Sequence, residues 1–371
     1  MEIMGRKVNI FFGALLTFGI ISLLRTVILV WNYDLLDFSI FYYAGQSTLH
    51  HMNPYTDQRL FTQASYPPVT FFFTLPFSLM PLVFASRLWT TLSVISFLLG
   101  LLILNRMINI SRYKSIILFT ASVVSFPFKF TIGMGQINLI LLSVLILSIY
   151  FFYRKKLVSS LFLSVAVLLK LFPIILLTGF ILNREYAYVK QVITITLVIF
   201  LVSWIYFGQS IYVYYIKNIL LPLIYIPADS VYYNQSITGF FARVNIPDFI
   251  SFIIRVVFIV FTSIKVFEKK SDIYSSISIF LTVTVIINSF SWQHHLILLI
   301  IPFFFLYIVR LRLRHLFLLI ISYSLVTINI KNPSLYDKHL LGPIILSHGF
   351  FGTFILWYIQ IKYLSIKKLK K

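Results

Sequence analysis

Long apolar runs, separated by short polar stretches, recur from one end of the chain to the other. They lie near 8–30, 82–104, 115–131, 136–152, 157–169, 172–182, 190–208, 248–266, 273–290, 295–309, 315–330 and 340–362. Each is apolar on every side of a helical wheel, the pattern of helices surrounded by hydrocarbon or by other apolar helices. Many approach the ~20 residues a helix needs to cross a bilayer. The pattern predicts an all-α polytopic membrane protein of about 10–12 transmembrane helices, folded as one domain over 1–371. The stretch 157–182 departs from it. Lys170-Leu171-Phe172-Pro173 interrupts an apolar region too short for two full spans. A pair of short helices broken at Lys170 is expected, with Lys170 facing a polar cavity.

Between the runs, basic residues fall on alternate sides. Arg6 and Lys7, Arg106 to Lys114, Arg154 to Lys156, Arg184 and Lys190, Lys265 to Lys270, Arg310 to Arg314 and Lys362 to Lys371 hold most of the 31 Lys and Arg. The positive-inside rule then places both termini in the cytoplasm and makes the chain a multi-pass plasma (inner) membrane protein. Two long loops, 31–81 and 209–247, fall on the extracytoplasmic side. Six acidic residues lie in or beside the outer loops: Asp34, Asp37, Asp57, Asp229, Asp248 and Asp337.

Composition agrees with this reading. The chain is 60% hydrophobic, mean hydropathy is +0.94, and 11% of residues are charged. A formal net charge of +21 would suit a nucleic-acid partner, but the basic residues are scattered through short loops and form no continuous face, so no nucleic acid is expected. There is no cysteine, which excludes disulfides, thiolate metal sites and cysteine nucleophiles. Walker A, HExxH, GxGxxG and Asp-x-Asp motifs are absent, so nothing calls for a nucleotide, a metal or another cofactor.

Polar groups are scarce in such a chain, and their clusters are candidates for chemistry. Asp34 and Asp37 would share a face on a helical turn. Asp34 reads as a solvated carboxylate. Asp37 lies among apolar and aromatic residues; partial burial would raise its pKa and suit it to take a proton from a hydroxyl. Adjacent His294 and His295 diverge by about 100° on a helix and chelate metal poorly. They suit hydrogen bonding to an anionic or hydroxylated ligand, or an interfacial cap. Gly133-Met134-Gly135-Gln136-Ile137-Asn138 is a turn opening a helix, whose free N–H groups favour anions. Asn234 and Gln235 have the chemistry to read sugar hydroxyls and Arg243 to clamp phosphate, unless this loop merely re-enters the membrane. Arg25, Arg87 and Arg255 lie near span ends, where snorkelling is the default.

Several stretches taken in order resemble glycosyltransferase family 87. They are Asp37-Phe38-Ser39-Ile40-Phe41-Tyr42-Tyr43-Ala44-Gly45 with Asn53-Pro54-Tyr55, Tyr66-Pro67-Pro68, Gly135-Gln136-Ile137-Asn138, Leu169-Lys170-Leu171-Phe172-Pro173, Asn234-Gln235-Ser236 with Arg243, and Ser291-Trp292-Gln293-His294-His295. The resemblance covers about 30–310; helices in 311–371 are less diagnostic. Characterised members are polyprenol-phosphate-mannose-dependent α-1,2-mannosyltransferases acting on phosphatidylinositol mannosides. The resemblance implies a GT-C membrane fold, a polyprenyl-phosphate-linked sugar donor and a lipid or glycan acceptor. It implies transfer outside the cytoplasm, with Asp37 as general base and His294 or His295 catalytic. Tyr42, Tyr43, Asn53, Tyr66, Gln136, Asn138, Lys170, Asn234, Gln235, Arg243 and Trp292 would bind substrate within surrounding membrane lipid. The competing reading is a lipid or sugar transporter or flippase, which would also use buried cations and a broken helix. Loops lopsided toward one side and the lack of an internal repeat count against it.

Overall fold

A computed structural model describes residues 2–60, 62, 64–108, 110–225, 230–336 and 339–364. Asp229, Asp337 and the lysines beyond Leu364 lie outside the described residues. The helices run α1 Glu2–Val30, α2 Leu36–Leu49, α3 Pro68–Ser78, α4 Leu82–Ile108, α5 Arg112–Val124, α6 Phe126–Met134, α7 Asn138–Phe151, α8 Lys156–Leu169, α9 Leu176–Leu182 and α10 Tyr186–Phe207. They continue as α11 Gln209–Tyr215, α12 Leu221–Tyr225, α13 Ile237–Arg243, α14 Asp248–Glu268, α15 Ile273–Ile287, α16 Ile300–Tyr307, α17 Leu313–Thr327, α18 Gly342–Leu346 and α19 His348–Tyr363. Short 3₁₀ turns at Phe172–Ile175 and Gln293–Leu299 complete the parts that matter below. Among the described residues there is no strand, only an isolated bridge between Asn234 and Trp292. The protein is an all-α membrane protein.

Four helices are long and apolar enough to cross a membrane alone: Val8–Val30, Leu82–Ile108, Tyr186–Phe207 and Asp248–Glu268. Their outer faces carry exposed apolar side chains such as Phe11, Phe18, Leu99, Ile205 and Phe252. Exposure on this scale fits contact with lipid tails. The remaining apolar segments are shorter or broken. The run expected at 115–131 divides into α5 and α6, bent by 52°. Pro127 stands at the start of α6, where its missing N–H costs nothing, and Ser125 caps that helix by accepting from Phe128 N–H at 3.3 Å. The run at 340–362 likewise breaks at Ser347 into α18 and α19.

The central helices α7 and α15 are buried on nearly every side. Packing there relies on small hydroxyl residues that hydrogen-bond across helices, the usual glue where apolar surface supplies no drive between helices in lipid. Ser143 Oγ donates to Ser96 O at 2.6 Å, Ser159 Oγ to Ser148 O at 2.7 Å, Ser164 Oγ to Val192 O at 3.0 Å and Gln360 Nε2 to Ser278 Oγ at 2.8 Å.

The segments expected as outer loops prove largely helical. α2 and α3 occupy much of 31–81, and α11 to α13 much of 209–247. α2 mixes Asp, Gln, Ser, Thr and Tyr with apolar residues, so its mean hydropathy falls below that of a span, yet it buries Phe38, Phe41 and Ala44 completely. Its close approach to α3 is set at Gly45, where a Cβ would overlap Ser78 Oγ, and Ser78 Oγ donates to Tyr42 O at 2.9 Å. Asp34 precedes this helix and is exposed, so it does not share a helical face with Asp37. The helix begins too late to include it.

Candidate active site

The site begins at a glycine. Gly135 ends α6 in the left-handed conformation, φ +71°, with Gly135 N–H on Ile132 O and Gln136 N–H on Thr131 O. This is the reversal that glycine permits at a helix C-terminus. A Cβ here would lie 2.7 Å from Phe38 Cβ and 2.8 Å from Leu35 Cβ, so α2 can press directly on the turn. Trp89 clamps the arrangement, its Nε1–H donating to Gly135 O at 2.8 Å and its ring packing on Phe38 and Phe41.

Gln136 therefore points at the first turn of α2. Its Nε2 donates to Asp37 Oδ2 at 2.5 Å, and its Oε1 accepts from Tyr66 Oη at 2.9 Å and from Lys170 Nζ at 3.3 Å. Lys170 stands in extended backbone where α8 stops. Thr70 Oγ1 bonds the carbonyls of Leu168 and Leu169 that the break releases, at 3.1 and 3.3 Å. Lys170 Nζ lies 2.8 Å from His295 Nε2 and 5.4 Å from the centre of the Tyr66 ring. His295 Nδ1 accepts from Trp292 N–H at 3.1 Å, which fixes the imidazole's orientation. One connected set thus runs Asp37, Gln136, Tyr66, Lys170, His295. Asp37 and Lys170 are each 8% exposed. Burial pushes the Asp37 carboxyl above its ordinary value; the Gln136 hydrogen bond and the charge of Lys170 offset part of that rise.

His294 points elsewhere. Its ring packs between Phe130 and His295, with centroids 5.5 and 4.5 Å away, and its carbonyl accepts from Asn138 Nδ2 at 3.1 Å and Thr131 Oγ1 at 3.2 Å. His294 Nδ1, Asn138 Oδ1, Gln293 Oε1 and Ser291 Oγ are buried and have no hydrogen-bond partner among the described residues. Buried polar atoms are nearly always satisfied, so these are positions where a hydroxylated substrate could bond.

Other expected site residues hold the scaffold. Tyr42 Oη donates to Met80 O at 2.8 Å. Tyr43 lies beneath the Arg59 guanidinium at 4.7 Å, and Arg59 pairs with Asp57 at 2.6 Å. Asn53 Oδ1 accepts from Tyr55 N–H at 3.0 Å, and Tyr55 Oη in turn donates to Tyr66 O at 2.8 Å, so Asn53 acts on the site through Tyr66. Asn234 Nδ2 donates to Ser289 O at 2.9 Å; Gln235 Nε2 donates to Tyr232 O and Leu346 O, and its Oε1 accepts from Gly349 N–H. Arg243 donates to Ser347 Oγ and to the carbonyls of Val231, Tyr232 and Asn234. These three side chains bind their own loop to the 289–293 segment and to α18–α19. Trp292 stacks on Tyr233 with 10° between the rings.

His348, not anticipated from the sequence, joins this brace. Its Nδ1 donates to Leu325 O at 2.6 Å, and its Nε2 lies 3.1 Å from Tyr232 Oη and 3.3 Å from Gln293 Nε2. The sole signal was a histidine inside an otherwise apolar C-terminal run.

In chemical terms the site joins a raised carboxylate, through one amide, to an amine and an imidazole. Such a set can take a proton at one end and meet an anion at the other. Comparison with known proteins agrees with a transferase. No curated protein matches the chain. The model of glycosyltransferase family 87 matches residues 61–328, which include Tyr66, Gln136, Lys170 and the 291–295 segment. Asp37 lies before the matched stretch and reaches it only through the packing of α2. Because that match covers well over half of the chain, the protein belongs to glycosyltransferase family 87 and is a membrane glycosyltransferase.

Proposed function

We propose that the protein transfers a sugar, mannose by family resemblance, from a polyprenyl-phosphate donor to a hydroxyl of a lipid or glycan acceptor. Transfer takes place on the extracytoplasmic face of the membrane, within a GT-C type fold. The observation that carries this reading is the contact set running from Asp37 through Gln136 to Lys170 and His295. A sugar-phosphate donor needs a base for the acceptor and a cation for the departing phosphate, held apart in a site sheltered from water.

In the displacement, the acceptor oxygen attacks the anomeric carbon and gives its proton to Asp37. The bond from that carbon to the phosphate oxygen breaks on the opposite face, and its electron pair leaves on the lipid phosphate. The anomeric centre inverts. Lys170 meets the phosphate, whose charge keeps the amine protonated, and His295, whose Nε2 carries the ring proton because Nδ1 accepts from Trp292 N–H, donates to a phosphate oxygen itself. His294 and Asn138 offer Nδ1 and Oδ1 to sugar hydroxyls. Tyr66 and Gln136 fix the distance between the acidic and basic ends.

The test is transfer of labelled sugar from purified polyprenyl-phosphate-mannose to a membrane lipid extract by the purified protein. Product formed by the wild type and lost in Asp37→Asn supports the reading. Product surviving in Asp37→Asn removes Asp37 as base. Donor movement across vesicles with no new glycosidic bond would sink the transferase mechanism in favour of transport.

A further inference from the structure

A cavity of about 350 Å³ lies beside the first turns of α2. Leu35, Leu36, Phe38, Ser39 and Tyr43 line it from the start of α2, while Asp37 and Phe41 do not. The opposite wall comes from the residues that follow the first span and from the start of α4, notably Trp31, Asp34 and Arg87. Two spans, Val8–Val30 and Leu82–Ile108, therefore end at this cavity. Whichever way the chain is oriented, the cavity sits at headgroup depth, where Trp and Tyr collect. Its size is that of a small-molecule site.

Arg87 forms no ion pair among the described residues, its Nε is buried with no hydrogen-bond partner, and its guanidinium stacks 5.5 Å from the centre of the Trp31 ring. A snorkelling arginine would carry its whole head into water; this one keeps Nε buried and lines the cavity beside Trp31. Asp34, exposed on the rim, also lacks an ion pair among the described residues. A guanidinium and a carboxylate in one interfacial cavity complement a ligand that carries phosphate and ammonium together.

We infer that this cavity binds the headgroup of an amine-bearing bilayer phospholipid, its phosphate on Arg87 and its ammonium toward Asp34. Phosphate suits arginine's planar donor set. The lipid would brace the start of α2 and takes no part in the chemistry proposed above, so the inference stands or falls apart from that reading.

Native mass spectrometry of the detergent-solubilised full chain, with dioleoylphosphatidylethanolamine, dioleoylphosphatidylglycerol or a polyprenyl phosphate added in turn, tests it. Wild type is expected to retain phosphatidylethanolamine in preference to phosphatidylglycerol. Arg87→Gln is expected to weaken retention of both by roughly tenfold or more, the loss of about one charge-assisted contact, and Arg87→Lys to restore part of it. Asp34→Asn, on an exposed rim where folding is not at risk, is expected to abolish the preference between the two. Equal retention by wild type and Arg87→Gln overturns the inference. So does a preference unchanged in Asp34→Asn, or retention of polyprenyl phosphate alone, which would make this the donor's phosphate site.

Discussion

Gln136 Nε2 donates to Asp37 Oδ2 at 2.5 Å, across 99 residues of sequence. The contact exists because Gly135 turns the chain in a conformation other residues avoid, and because nothing larger than its hydrogen fits against Phe38 and Leu35. A single amide thus links the carboxylate to the Lys170 side of the site.

Removing the carboxylate's charge should stop the reaction and spare the fold. Asp37→Asn keeps an oxygen for Gln136 to bond. Transfer is expected to fall by roughly 10²–10⁴-fold, the usual worth of a general base. Single-turnover assays beside thermal unfolding in detergent would separate this from a folding defect; an equal drop in both would refute the catalytic assignment.

The pH response should have opposite signs at two aspartates. Burial raises the Asp37 pKa above 3.8, so the folded state holds that proton more tightly than the unfolded chain. Its stabilising contribution is complete below 3.8 and disappears as pH rises through the raised value. Asp57 is lowered to about 2, first by its hydrogen bond from Arg59, so its contribution is present above 3.8 and lost as pH falls toward 2. At pH 7, Asp37→Asn is therefore expected to leave the melting temperature unchanged or raised, and Asp57→Asn to lower it. The acid limb of the transfer rate should fall above pH 3.8, because the base must be ionised to act.

Gly135→Ala tests the turn itself. The added methyl must displace α2 or distort a residue at φ +71°. A loss of at least about 1 kcal/mol in stability is expected, with a larger loss of transfer because Gln136 and Asp37 separate. Unchanged activity would show that this contact is not needed.

Lys170→Met removes the cation and keeps the length of the stem. A fall of roughly 10²–10³-fold in the chemical step is expected, as for loss of one electrostatic stabiliser of a developing anion. Lys170→Arg should recover little, since a guanidinium does not replace a point amine wedged between Gln136 and His295. Full activity in Lys170→Met would move the leaving-group role elsewhere.

Asn234→Ala distinguishes a brace from a substrate reader. It takes from the buried Ser236 N–H its acceptor, Asn234 Oδ1, and from Ser289 O one of its donors, and is expected to cost about 1–3 kcal/mol of stability. Donor KM in the protein that remains folded should stay within about threefold of the wild type. A large rise in KM without loss of stability would instead restore Asn234 to the substrate.

The sequence by itself determined the solvent of this protein and one of the places where its helices break, Lys170. Both follow from local chemistry: runs of Ile, Leu and Phe leave no polar surface for water, and Lys170-Leu171-Phe172-Pro173 interrupts an apolar stretch too short for two spans, whereas the bend at Phe126-Pro127 within the run at 115–131 emerged only in the structure. It also showed which polar residues stand in otherwise apolar surroundings, Asp37, Lys170 and His295 among them. It could not sort them. Asn234, Gln235 and Arg243 have the same hydrogen-bonding chemistry as Gln136 and Lys170, and what separates them is whether the fold spends their donors on backbone carbonyls. That depends on neighbours more than 100 residues away, such as Ser347, Leu346 and Gly349, which no local pattern encodes. The helices within 31–81 and 209–247 were hidden for a related reason. Their mixed composition reads as loop, and they become helices because packing buries one face. Only the tertiary structure could bring Asp37, outside the stretch matched by the family, onto Gln136 inside it, because that approach is decided by shape at Gly135.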